Sequence, residues 1–273
     1  MPNFNHCLRA AGLFTLVAVF QYPAVAAETV RVGGTGSINE MVKSLAPVFL
    51  AETGMAVEVI PSLGSSGGIR AAADGVLDLC ISGRPLKPAE VASRVATVAE
   101  LRTPFGLVTS HPDPEGLKSA AIAQLYQSDK PTWADGKPMR IILRPTNESD
   151  TWLLGQTFPG MEAAIKKVRL RADISIAATD QDNTKMAEGT AGSLVAATFT
   201  QVKLEKRKLW FVAIDGIEPS IDNFTSGKYP FGKKLYVVLA TKKSPAGEKF
   251  LAFLRTPKGA AALREAGVLV SAE

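Results

Sequence analysis

Four short stretches of this sequence set hydroxyl, glycine and arginine residues in spacings that suit one chemistry, the holding of a small anion. Gly64-Ser65-Ser66-Gly67-Gly68 follows an apolar alternating run (56–60) and precedes a helical pattern that starts at Ile69. Glycine lets the backbone approach a guest closely, and Ser65 or Ser66 can cap the helix. The first N–H groups of a helix lack partners inside it and carry a partial positive charge outward, so an anion suits them. Thr35-Gly36-Ser37 repeats the device ahead of a helix expected from Ile38 to about Glu52, with Ser37 and Glu40 spaced as a capping box. Ser82-Gly83-Arg84 ends a third apolar run, and Arg144, Ser149, Asp150 and Thr151 share the loop after a strand expected over 140–143. A guanidinium in that loop can give an oxyanion paired, planar hydrogen bonds that an ammonium cannot.

The elements around these loops must bring them together. From Thr29 to Glu90 the pattern reads β-α-β-α-β-α, which predicts a mostly parallel sheet covered by helices. Ligands of such sheets sit beyond the carboxyl ends of the strands, where the 35–37, 64–68 and 82–84 loops should gather. A strand over 105–110 runs into a turn-rich segment (111–116) that marks a first crossover, and the strand over 235–240 marks a second. Between them lie helices expected over 119–126, 152–158, 163–168 and 181–188, with strands over 174–177 and 209–214. Ser244-Pro245 and Thr256-Pro257 open two closing helices, with proline at the first turn.

Composition narrows the class. Arg9, the apolar run 10–20 and Ala24-Val25-Ala26-Ala27 read as a cleaved secretory signal over residues 1–27, its apolar part shorter than the roughly 20 residues a membrane span needs. The expected home is therefore the periplasm. Beyond it Cys80 has no intrachain partner and reads as a core residue, so the fold must rest on its 46% hydrophobic content. The net charge of +5 is scattered apart from Lys203, Lys206, Arg207 and Lys208, which read as a solvated helix end rather than a nucleic-acid patch. A dinucleotide fingerprint fails because Asn39 stands at the third glycine position. A hydrolase is disfavoured: His111 is the one histidine past the leader, and neither a metal-ligand spacing nor a nucleophile elbow is present.

In this order, Gly34-Thr35-Gly36-Ser37, Gly64-Ser65-Ser66-Gly67-Gly68, Ser82-Gly83-Arg84-Pro85-Leu86, the Arg144–Thr151 loop and Gly227-Lys228-Tyr229-Pro230-Phe231 resemble the phosphate-binding proteins of ABC transporters, over essentially the whole chain past the leader. The resemblance implies a two-lobed α/β periplasmic binding fold of type II, with mostly parallel sheets flanked by helices and two crossover strands. Lobe I is expected over 28–108 and 233–273, and lobe II over 109–232. It further implies a monomer that delivers a small oxyanion to a membrane permease, without catalysis or cofactor. Phosphate is the first expectation, with sulfate or molybdate as alternatives, and an anion sensor or interaction module of the same fold is the other reading. By the same resemblance Thr35, Gly36, Ser37, the Ile38 backbone, Ser65, Ser66 and Gly67 face the ligand from one lobe, and Arg144, Ser149, Asp150 and Thr151 from the other.

Two departures stand out. The family commonly carries an aspartate that accepts a hydrogen bond from protonated phosphate, and the aligned position here is Gly83, with Arg84 next. The loop from arginine to serine is one residue longer, with Asp150 where a glycine is usual. Loss of the aspartate relaxes discrimination against sulfate-like ligands, and Arg84 either adds a donor or pairs with Asp150.

Overall fold

The computed structural model describes residues 28–61, 63–242 and 244–271, so the signal expected over 1–27 lies outside the described residues. The alternation read from the sequence forms as β1 (Thr29–Gly34), α1 (Asn39–Thr53), β2 (Ala56–Ile60), α2 (Gly64–Ala73), β3 (Leu79–Ser82) and the single turn α3 (Pro88–Val91). A long strand follows, β4 (Val95–Thr109), then α4 (Ile122–Gln127), β5 (Arg140–Leu143), α5 (Ser149–Thr157) and α6 (Met161–Val168). The chain continues through β6 (Ser175–Ile176), α7 (Asp180–Gly189), β7 (Ser193–Thr198), α8 (Phe199–Glu205), β8 (Trp210–Phe211) and α9 (Ile221–Thr225). It returns along β9 (Gly232–Ala240) and closes with α10 (Pro245–Leu254), α11 (Pro257–Glu265) and β10 (Leu269–Val270).

The strands line up as β2-β1-β3-β9-β4-β7-β5-β6, with β8 and β10 also on β4. The flanks, β2-β1-β3 and β7-β5-β6, are parallel. The centre is antiparallel, because β4 and β9 cross together from Val95↔Ala240 to Pro104↔Gly232. β4 starts ten residues before the strand expected at Phe105. Its first half is only partly buried and carries Glu100 and Arg102, whereas 103–109 is buried throughout, so only the second half reads as an apolar run. Among the described residues the two largest of four apolar clusters lie one on each flank. One gathers α1, α10 and α11 on the first flank around Phe49, Phe250 and Phe253; the other gathers α4, α5 and α6 on the second around Phe105, Tyr126 and Trp133. Among the described residues no helix is long and apolar enough to cross a membrane.

The closing helices are capped as the sequence implies: the Ser244 and Thr256 hydroxyls accept from the N–H groups of Gly247 (3.3 Å) and Gly259 (3.0 Å), with proline at the first turn. The two leading helices are not. Gly36–Ile38 form a 3-10 turn and α1 begins at Asn39, so the Ser37/Glu40 capping box is absent. The Ser37 N–H is taken by Asp180 instead, and Glu40 accepts from Lys43 Nζ at 2.7 Å. α2 begins at Gly64, a turn earlier than read, which places Ser65 and Ser66 inside its first turn rather than at its cap. Cys80 is a buried thiol in β3 whose pKa burial pushes up to about 12, as befits a core residue.

Candidate functional site

Both flanks present the carboxyl ends of their strands to the cleft between the lobes, and a cluster of buried charge lies there. The loop after β1 supplies two donors aimed at a single carboxylate. The Ser37 N–H donates to Asp180 Oδ2 at 2.8 Å, and the Thr35 hydroxyl donates to the same oxygen at 3.3 Å. From the other lobe Arg144, at the end of β5, sets its Nε 3.2 Å from Asp180 Oδ1. Its other nitrogens reach Ala177 O (2.5 Å) and Glu148 Oε2 (3.3 Å). Asp180 opens α7, and Gln181 beside it donates to Gly36 O at 2.9 Å, so the first turn of that helix is docked across the cleft.

A second pair completes the cluster. Lys233, fully buried at the start of β9, makes a short ion pair with Asp150 and donates to Ser37 Oγ at 3.3 Å. Gly83 explains how the ammonium gets there. A Cβ at position 83 would lie 2.7 Å from Ser149 Oγ, 2.9 Å from Lys233 Cε and 3.1 Å from Lys233 Nζ, so a larger residue there would press on both side chains. The room left at Gly83 is thus used by a lysine from the crossover strand, and Asp150 neutralises it. Burial is the leading cause that pushes the Asp180 carboxyl above its usual range; the nearby Asp150 charge adds to it, and Lys233, Arg144 and the Ser37 N–H oppose it. Glu148 is pushed up as well, by burial first, with Asp180 and Asp150 adding against the pull of Arg144. Among the described residues no group of three or more His, Cys, Asp or Glu is placed to hold a metal ion.

The residues singled out in the sequence are divided by this geometry. Thr35, Gly36, Ser37, Arg144, Asp150 and Ser149 meet in the cluster, and Ser65 reaches its edge by accepting from the Gly83 N–H at 2.9 Å. Arg84 does not pair with Asp150. It turns outward, bonding both carboxylate oxygens of Glu90 (2.7 and 2.8 Å) and the Ser66 hydroxyl (2.8 Å). Those charged bonds hold the Glu90 carboxyl down at about 2. Thr151 spends its hydroxyl on the carbonyls of Arg144 and Pro145, and the Ile38 side chain lies wholly in the first core. Gly67 lies within α2.

Two members of the cluster, Asp180 and Lys233, escaped the sequence reading although each carries a signal. Thr179-Asp180-Gln181-Asp182 is a fifth strand–loop–helix junction, after β6, and its capping box uses Thr179 and Asp182 and leaves Asp180 over. Lys233 alternates in phase with Leu235, Val237 and Leu239, which makes it an inward-facing lysine on an otherwise apolar strand face.

Two lobes, two crossover strands and hydrogen-bond donors meeting between them define a ligand-binding protein of the clamshell type. The chain belongs to the PBP superfamily: the family model described as "PBP superfamily domain" matches residues 23–258. Solved structures agree on the fold. A phosphate-bound crystal structure from Clostridium perfringens aligns at TM-score 0.76 over 90% of this chain and 100% of that one, at 17% identity. An ABC-type phosphate transport receptor from Vibrio cholerae gives 0.60 at 14% identity, covering 89% and 100% of the two chains. The periplasmic molybdate-binding protein of Azotobacter vinelandii gives 0.59 at 15%, again covering 89% and 100%. A search of curated protein sequences finds no match. The fold and family are those of binding proteins, not of enzymes.

Proposed function

We propose that the chain is an extracytoplasmic receptor that holds a small tetrahedral oxyanion, phosphate first, between its lobes and hands it to an ABC permease. One observation carries the reading: donors from both lobes, the Ser37 N–H and Thr35 hydroxyl on one side and Arg144 on the other, converge on a single negatively charged group. Hydrogen bonds to a charged group contribute about 1.5–3 kcal/mol each, so a few of them offset the cost of association and reach micromolar affinity. A cavity of about 400 Å³ between Arg84–Pro88 of one lobe and Thr146–Ser149 and Trp152 of the other offers the path inward, past Glu148 to Arg144. Lobe motion of the hinge type opens and closes such a cleft. The phosphate bound in the Clostridium perfringens structure and the molybdate for which the Azotobacter vinelandii protein is named belong to that chemical class.

The test is a thermal-shift screen of the mature protein against phosphate, sulfate, molybdate and tungstate. At least one should raise the melting temperature, and Arg144→Ala should abolish the rise. No shift with any of the four, in wild type or in the Asp180 variants below, defeats the reading. An interaction module of the same fold is then favoured, in line with the cluster's internal pairing.

A further inference from the structure

We infer that Asp180 is the resident guest of the anion seat and the residue that decides which anions can enter it. This rests on the receptor reading and deepens it. The carboxylate is not needed to cap its own helix, since Thr179 and Asp182 cap α7 reciprocally, with bonds of 3.0 and 3.1 Å. It reaches across the cleft to donors on the other lobe instead. The loop it enters leaves room for it: a Cβ at position 36 would lie 2.9 Å from Asp180 Oδ2 and 3.2 Å from its Cβ, so Gly36 is what admits the side chain.

The fit is incomplete, and that points to another guest. Arg144 is 6% exposed, yet its Nε–H has no aligned hydrogen-bond acceptor although Asp180 Oδ1 is 3.2 Å away. A planar carboxylate tethered to a helix cannot turn an oxygen toward every donor, whereas a free tetrahedral anion brings further oxygens. The guest must replace Asp180 rather than sit beside it. The cavity next to Arg144 and Asp150 measures only about 10 Å³, and Glu148, Asp150 and Asp180 already set three carboxylates around Arg144 and Lys233. A seat left free about one part in a hundred binds its ligand about a hundredfold more weakly, so the tether discriminates. Tetrahedral oxyanions with oxygens for Arg144 displace it, and planar monocarboxylates, which offer no more than Asp180 does, do not.

Calorimetric titration of wild type, Asp180→Ala and Asp180→Asn with inorganic phosphate, sulfate and acetate tests this. Asp180→Ala should bind phosphate or sulfate about tenfold more tightly than wild type, or better. Acetate should raise the melting temperature of Asp180→Ala saturably and leave wild type unmoved, because the free carboxylate refills the vacated seat. Asp180→Asn keeps the volume without the charge, so it reports on the seat should Asp180→Ala fail to fold. Wild type binding phosphate as tightly as both variants overturns the inference and leaves the receptor reading standing. Acetate rescue of Asp180→Ala with no tetrahedral anion bound by any form keeps Asp180 as the guest and overturns the receptor reading. Neither rescue nor binding overturns both.

Discussion

Two arginine–carboxylate clusters lie along the same cleft and behave in opposite ways. At the rim, Arg84 and Glu90 make a bidentate pair whose side chains are 16% and 20% exposed. Its carboxyl is held down at about 2, with the Arg84 hydrogen bonds as the leading cause. Deeper in, Arg144 faces Asp180 with 6% and 7% of the side chains exposed, and there burial outweighs the same kind of partner and pushes the carboxyl up. The difference is solvent and crowding. Glu90 has one arginine largely to itself and water nearby, whereas Asp180 shares its cations with Asp150 and Glu148 in a dry site. An ionised group kept where ionisation is costly is held less firmly than its bond count suggests, and a displaceable internal guest needs that property.

The sharpest way to break the comparison is to remove a cation from the buried side. Lys233→Met leaves Asp150 in a dry site without its partner, and breaking such a pair costs about 3–5 kcal/mol. Urea denaturation should show a midpoint lowered accordingly. The double variant Lys233→Met/Asp150→Asn should lose much less than the sum of its parts, because the stranded charge has gone. A loss below 1 kcal/mol for Lys233→Met would mean that the cluster is wetter than its burial implies.

Acid titration separates the two clusters by sign. The folded-state pKa of Glu90 lies below its unfolded value of 4.5, so its contribution is full above that value and is lost as pH falls through about 2. Glu90→Gln should therefore lose stability relative to wild type as pH rises from 2 to 4.5. The folded-state pKa of Asp180 lies above 3.8, so the folded chain holds that proton more tightly and stability falls as pH rises from 3.8 through the raised value. Asp180→Asn should accordingly gain on wild type over that window. Slopes of the same sign for the two variants would erase the contrast.

Much of this was legible in the sequence, for physical reasons that also mark the limit. The β-α alternation, the Ser244-Pro245 and Thr256-Pro257 helix starts and the convergence of loops at a strand edge all follow from local pattern, and the structure carries them. The antiparallel centre was harder, since the first half of β4 pairs with β9 across more than a hundred residues of chain and shows its charged face to solvent. The cluster was legible only by halves. Ser37 and Arg144 advertise themselves through their loops, but their partner Asp180 sits in a polar helix start that resembles any other capped turn. Ser37 illustrates the reverse error. Its spacing to Glu40 fits a capping box, yet a carboxylate 143 residues away takes its N–H.

The rim supplies the smallest and most discriminating measurement. A pair with this much solvent access is worth about 0.2–1 kcal/mol by double-mutant cycle, with the upper end reserved for bidentate geometry such as that of Arg84 and Glu90. The cycle Arg84→Ala, Glu90→Ala and the double variant should give a coupling in that range that shrinks as salt is raised, because exposed charges are screened over a Debye length of about 10 Å at 0.1 M. The Lys233–Asp150 cycle should barely respond to the same salt, since no electrolyte enters between fully buried groups. Phosphate should leave the rim coupling unchanged, because Glu90 already takes the Nη1/Nη2 edge of Arg84 while the Pro85 carbonyl and the Ser66 hydroxyl accept from the same two nitrogens. A rim coupling that collapses on adding phosphate would instead make Arg84 a donor to the guest, and the functional border between the two clusters would have to be moved outward to include it.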